Sequence, residues 1–202
     1  MLHRPCLSAA FFSQLRVLDR HIAEEIHASG CRHCGHRLHV ANYPRKPRGI
    51  EHRVLGEGYR LRWSFCCSRC RRRTTPPSLR FLGRKVYLGA LLVLFGNVAA
   101  DAAPSGAMFR AVAKRSGIPP LTLARWHRWW TQAVPATRWW RSLRSRFVPS
   151  PESERLPLSL LERVAGDEAS GRLTTVLALT GPLSTRTCSH FPRVVVDTQE
   201  ML

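Results

Sequence analysis

Hydrophobic residues recur near the start of the chain at steps of three and four: Phe11, Leu15, Leu18, Ile22 and Ile26. That period lays one apolar stripe along a helix over residues 11–28, and Gly30 is its stop signal. The pattern then changes. A stretch bearing Pro and Gly, Tyr43 to Gly49, is followed by Tyr59 to Phe65, where Tyr, Leu, Trp and Phe alternate with Arg and Ser. A period of two predicts a strand. Thr74 to Ser78 (TTPPS) ends this segment, because paired prolines cannot sit in a central strand.

Three helices are predicted over residues 84–100, 107–116 and 120–132. The first is apolar nearly all round and belongs in a core. Asp101 to Gly106 breaks it, Ser116-Gly117 separates the second helix from the third, and Pro120 suits a first turn. A basic tract from Trp140 to Arg146 leads into a linker, Val148 to Pro157, with three prolines and two glutamates. Two short helices are expected at Leu158 to Ala165 and Leu173 to Thr180, and a mobile tail beyond Gly181. The longest apolar run, Val86 to Ala100, spans 15 residues and includes Gly89, Gly96 and Asn97. A membrane helix needs about 20 apolar residues, so a cytoplasmic protein with no membrane partner is expected. The apolar run Cys6 to Phe12 lacks a small-residue cleavage site after it, which argues against a signal peptide.

Charge sharpens the picture. The 202 residues carry 32 Lys plus Arg against 13 Asp plus Glu, a net of +19. Residues 31–85 hold a net +13 and residues 107–146 a net +9 with no acid at all, while the remainder is slightly acidic. Lysine stands only at positions 46, 85 and 114; the rest is arginine, whose planar fork suits phosphate and guanine. A polyanionic partner is implied, and nucleic acid is the commonest polyanion.

Cysteine supplies the chemistry. Four of the seven fall in two C-x2-C pairs, Cys31/Cys34 and Cys67/Cys70, separated by 32 residues. Each such turn presents two sulfurs to one point, and two of them complete the tetrahedral thiolate set of a structural Zn2+. Gly35 permits the tight turn after the first pair. Cys66 adjoins Cys67, and the two-residue spacing to Cys70 favours Cys67 as the ligand, with Cys66 packing as a small apolar side chain. His33, His36 and His39 crowd the first pair; exposed knuckle positions or phosphate contacts suit them better than ligation. Four protein ligands leave no coordination position for water, so a catalytic zinc is disfavoured.

A second signature lies in AVAKRSGIPPLTLARWHRWW. Ala113 and Gly117 are four apart, Leu123 follows six later and Trp126 three beyond. This is helix-turn-helix spacing, with Leu123, Trp126 and Trp130 as the buried stripe and Thr122, Arg125, Arg128 and Trp129 on other faces. Five tryptophans fall between 126 and 140. Their helical spacing favours a small core over a platform for stacking the bases of a single strand.

A zinc ribbon ending in CSRCRRR and followed by a helix-turn-helix resembles small proteins, and N-terminal regions of transposases, encoded by bacterial insertion sequences. The resemblance covers residues 31–146. It implies that Cys31, Cys34, Cys67 and Cys70 are the metal ligands, that Leu121 to Trp130 is the recognition helix, and that a separate domain elsewhere cuts DNA. Pro119 and Pro120 stand where a Ser or Thr cap is usual. Catalysis by this chain is not expected: its acids form no paired strand carboxylates, and no phosphate-binding glycine loop, nucleophile elbow or His-Glu-x-x-His helix occurs.

The expected fold is therefore α+β and mostly helical. It has an N-terminal helix (1–30), a four-cysteine zinc ribbon with short antiparallel strands (31–83), a helix-turn-helix domain (84–147), and a linker with short C-terminal helices and a tail (148–202). The expected function is DNA binding for a mobile element, as accessory protein or regulator. Double-stranded DNA is the main partner and a transposase a further one, with no small-molecule substrate. Candidate nucleic-acid contacts are Arg71, Arg72, Arg73, Arg84, Lys85, Lys114, Thr122, Arg125 and Arg128. The alternatives are an RNA- or single-strand-binding ribbon and a protein-interaction adaptor for a transposase.

Overall fold

The computed structural model describes residues 7–48, 52–56, 58–82, 89–91, 93 and 106–184. Arg84, Lys85, much of the apolar segment expected over 84–100 and the tail beyond Ser184 lie outside the described residues. The fold is α+β, helices with small antiparallel sheets.

Helix α1 runs Ala9–Ala28. The Ser8 hydroxyl accepts from the Phe11 amide at 3.2 Å and caps its start. Gly30, at φ +75°, turns the chain out of it. Its buried face is Phe11, Phe12, Leu15, Asp19 and Ala23, rotated from the expected stripe so that Leu18, Ile22 and Ile26 are only half-buried. An acid in that face is the reason. Asp19 is fully buried and accepts from the Ser78 hydroxyl at 2.5 Å, the Leu79 amide at 2.6 Å and Arg80 Nε at 2.7 Å. Arg80, itself 1% exposed, donates its remaining nitrogens to the carbonyls of Tyr59 at 2.5 Å and Leu61 at 3.0 Å. The pair latches α1 to residues 78–80, just after the cysteine module (31–75), and to Tyr59 and Leu61 inside it.

The module between holds five short strands. β1 (Leu38–Val40), β4 (Phe65–Cys67) and β5 (Arg73–Thr74) form one antiparallel sheet in the order β1-β4-β5, with Leu38 opposite Cys67 and Cys66 opposite both His39 and Arg73. β2 (Tyr43–Pro44) pairs with β3 (Leu61–Arg62) in a separate ribbon. A one-turn helix α2, His52–Leu55, lies between β2 and β3. The single strand expected over 59–65 is thus two strands in two sheets, broken at Trp63-Ser64; Tyr59 and Phe65 are buried as expected, but the alternation is inverted between them, where Leu61 is 37% exposed and Arg62 2% exposed. Arg62 is drawn inward because its guanidinium donates to the carbonyls of Pro76 and Pro77. Arginine can bury this way when backbone oxygens replace its water. Burial pulls its pKa down, to about 10, with Asp19 opposing.

Beyond the module, residues 89–91 and 93 are helical, and Ala90, Leu91 and Val93 are buried, as the apolar run predicts. Gly89 is needed there: a Cβ would meet the Leu79 carbonyl at 3.0 Å and a Leu177 methyl at 3.2 Å. Helix α3 (Gly106–Ser116) meets α4 (Pro120–Arg128) through a turn at Gly117, φ +68°. Five residues of π-helix, Trp129–Ala133, continue α4, so the α-helix expected to reach 132 ends at Arg128. α5 (Arg138–Arg144) follows, capped by Thr137. Of the linker expected over 148–157, residues 148–150 are exposed, but Pro151, Leu156 and Pro157 are buried against the body. α6 (Leu158–Arg163) and α7 (Ala169–Thr180) complete the order, the latter starting four residues earlier than its apolar pattern suggests.

One hydrophobic cluster draws on α1, Leu55, Tyr59, Leu79 to Leu82 and the helices from α3 to α7. Trp126, Trp130, Trp139 and Trp140 are all buried in it. The indole N–H of Trp139 donates to the Leu179 carbonyl and that of Trp140 to the Ser153 hydroxyl, both at 3.0 Å. These rings are core, satisfied at their polar edge. A second, smaller cluster, Ala23, Cys31, Leu38, Phe65 and Cys67, backs the cysteines. Among the described residues no helix is long and apolar enough to cross a membrane.

Candidate metal centre

The two C-x2-C segments are local repeats of one turn, offset by 36 positions in the sequence. In the first, the Cys31 amide donates to the His36 carbonyl at 2.9 Å; in the second, the Cys67 amide donates to the Arg72 carbonyl at 3.0 Å. Each five-residue return exposes backbone N–H groups toward the sulfurs, as when the Cys70 amide donates to Cys67 Sγ at 3.4 Å. The sheet brings the two turns together, since β1 leaves the first and β4 enters the second. Strand alternation then sends Cys67 inward and Cys66 to the opposite face.

The result is a cluster. Sγ atoms of Cys31, Cys34, Cys67 and Cys70 all lie within 4.8 Å of one another, with Cys31 to Cys70 at 3.6 Å and Cys34 to Cys67 at 3.4 Å. Sulfurs bound at about 2.3 Å to a tetrahedral ion stand about 3.8 Å apart, and a disulfide would hold two of them near roughly 2.05 Å. The residues therefore fit a metal ion, with zinc among those compatible. Cys66, half-buried, points away and donates weakly to the Arg71 carbonyl at 3.5 Å, a hydrogen-bonded position rather than the apolar packing expected.

The electrostatics agree with a cation at the centre. Backbone N–H groups, that of His33 first, lower the Cys31 pKa. Burial opposes ionisation of Cys67, yet the amides of Cys70 and Arg69 and the neighbouring thiols outweigh it and bring the value to about 6. At Cys70 the Arg72 amide favours the thiolate, but burial and the three other sulfurs prevail and push it up to about 11. Four thiolates at this spacing repel, so full ionisation needs a positive ion between them.

No histidine joins the four. His36 Nδ1 bonds the Cys34 carbonyl at 3.0 Å, and His39 is exposed on β1. His33 takes a third role: Arg72 Nη1 donates to its Nδ1 at 3.0 Å, and Arg32 Nε approaches its Nε2 at 3.3 Å. A neutral ring accepts only one of these at a time. Desolvation, then Arg72 and Arg32, hold this imidazole below its ordinary pKa. Nothing but proximity in sequence hinted at His33, since the cross-turn contact needs the two turns to be closed on one another.

The remaining expected contacts sit in two places. Arg71, Arg72 and Arg73 are exposed on the second turn and β5, with the Arg73 guanidinium 5.8 Å from the Tyr43 ring centre. Lys114, Arg125 and Arg128 are exposed and Thr122 half-buried on the α3–α4 pair. Leu121, 74% exposed, shares the outer face of α4 with Arg125 and Arg128, while Leu123, Trp126 and Trp130 point inward. Two further arginines, indistinguishable from these by sequence pattern, are buried. Arg62 and Arg80 belong to the basic segment 31–85, yet both are committed to backbone carbonyls, and Arg80 to Asp19 as well. The available signal was an acid at the centre of α1's apolar stripe, four residues from both Leu15 and Ala23.

Comparison of the chain with protein-family models, with curated proteins and with solved structures returned no match.

Proposed function

We propose that this is a zinc-dependent nucleic-acid-binding protein in which the four-cysteine centre, a zinc ribbon, props up an arginine-bearing surface. The observation that carries it is the closure of Cys31, Cys34, Cys67 and Cys70 within 4.8 Å beside the exposed Arg71, Arg72 and Arg73. A bound Zn2+ would cross-link the two turns and neutralise thiolate charge. The side chains do the rest: Arg72 spans to the other turn, and the buried Leu38, Phe65 and Cys67 hold both turns to the sheet.

The α3–α4 pair acts as a helix-turn-helix. Its inner stripe is the one that spacing requires, and its outer face carries Arg125 and Arg128 among no acids from residue 102 to 151. Duplex DNA is the favoured polyanion, because the tryptophans that would stack a single strand lie in the core. The chain binds rather than reacts, with four sulfurs filling the metal's tetrahedron. Its place in a mobile element, as regulator or transposition accessory with a transposase partner, rests on the resemblance of residues 31–146.

Metal analysis of the native protein tests the first part, and one Zn2+ per chain is expected. Anisotropy with a random-sequence DNA duplex tests the second. The logarithm of affinity should fall linearly with that of salt between roughly 50 and 200 mM, as phosphate contacts release counterions. Binding indifferent to salt, or none to duplex, defeats the proposal.

A further inference from the structure

The two cysteine turns differ at one backbone position. Where the chain leaves the first turn, Gly35 has φ +70°; at the same place in the second, Arg71 has φ +58°. The pairing follows from the matched hydrogen bonds, Cys31 amide to the His36 carbonyl and Cys67 amide to the Arg72 carbonyl. Each return needs one residue in the left-handed region just before the accepting carbonyl. Glycine enters that region freely, whereas a long L side chain crowds its own backbone there. Among the described residues Arg71 is the one non-glycine at positive φ.

Space does not explain the difference, because a Cβ built on Gly35 would meet nothing within 4 Å. Both positions face solvent. Nor, among the described residues, does the fold use the Arg71 side chain internally: the contact that Arg71 makes there is through its carbonyl, which accepts from Cys66. A bulky residue in an unfavourable conformation, where the neighbouring turn uses glycine, marks a side chain kept for something outside the fold.

We infer that Arg71 is a direct phosphate-contacting residue, held outward by the left-handed turn and paired with the Arg72–His33 bridge to make a cationic clamp across the metal centre. The clamp takes backbone phosphates of a nucleic acid. Arg72 Nη1 already reaches the first turn, 3.0 Å from His33 Nδ1, so its guanidinium is fixed across the two turns only when the cysteine cluster is closed. Phosphate binding at this place is therefore coupled to the metal. The inference rests on the proposed nucleic-acid function and names the atoms that grip the polyanion.

Three full-length variants separate backbone strain from charge, each loaded with Zn2+ and titrated against a short random-sequence DNA duplex. Arg71→Gly removes both, Arg71→Ala keeps the strain without the charge, and Arg71→Lys keeps both. Arg71→Gly should melt roughly 2–4 °C higher than the parent while binding about 5–10-fold more weakly, with the salt slope reduced by about 1. Arg71→Ala should lose the same affinity without the gain in melting temperature. Arg71→Lys should retain the slope. Parental affinity and slope in Arg71→Gly overturn the inference, as does a melting temperature at or below the parent's. A parent protein that binds no nucleic acid defeats the proposed function itself, and this is visible before any variant is made.

Discussion

Asp19→Ala removes three acceptor contacts at once. The Ser78 hydroxyl and the Leu79 amide lose their partner, and Arg80 keeps only the Tyr59 and Leu61 carbonyls for a charge whose side chain is 0% exposed. Arg62, also buried, then shares the interior with Arg80 and no anion at this site. Stranding one member of a buried pair costs about 3–5 kcal/mol, against about 5–15 kcal/mol for a whole domain. The cysteine module should suffer with the core, because Arg80 ties the carbonyls on either side of Arg60 to α1. Urea unfolding of the metal-loaded protein, followed by tryptophan fluorescence, measures the change at constant slope. A paired replacement, Asp19→Leu with Arg80→Met, removes both charges and should recover most of the loss, since apolar substitutes for a buried pair are often neutral. A loss under about 1 kcal/mol for Asp19→Ala, or no recovery in the double variant, would refute the latch.

Other substitutions probe the metal centre and the core. Cys67→Ser should release the metal and expose the amides of residues 31–75 to hydrogen exchange, whereas Cys66→Ser should leave metal content unchanged, which elemental analysis reads directly. Gly35→Ala should lower stability in urea unfolding by about 1 kcal/mol through backbone conformation alone; Gly30→Ala should cost more, because its Cβ would also stand 3.0 Å from the Gly35 carbonyl. Partial burial lowers the His127 pKa from its ordinary 6.5, and its Nδ1 has no hydrogen-bond partner among the described residues. The unfolded chain thus takes up the proton first, so this group's stability contribution is present above pH 6.5 and fades as pH falls below it. His127→Phe should flatten that part of a melting-temperature profile between about pH 7 and 5.

The four-cysteine cluster was legible at sequence level, down to the choice of Cys67 over Cys66, because a C-x2-C turn is a local structure and strand alternation decides which neighbour faces in. The helix boundaries near Gly30 and Gly117 were legible for the same reason: left-handed turns act over three or four residues. So was the inward stripe Leu123, Trp126 and Trp130. What failed were the burial of Arg62 and the orientation of α1, each set by a partner that spacing does not announce. Arg62 reads as the polar half of an alternating strand, and only the carbonyls of Pro76 and Pro77 make its burial possible. The rotation of α1 follows from Arg80, 61 residues away in sequence from Asp19.

Spacing along the chain determined that two cysteine turns, a helical hairpin and two basic, acid-poor segments exist. Tertiary structure alone decided which arginines are surface and which are structural, because burial of a charge depends on whether carbonyls and a carboxylate arrive from elsewhere to replace its water. It also showed that one of the two matched turns carries its arginine in a conformation that glycine adopts freely.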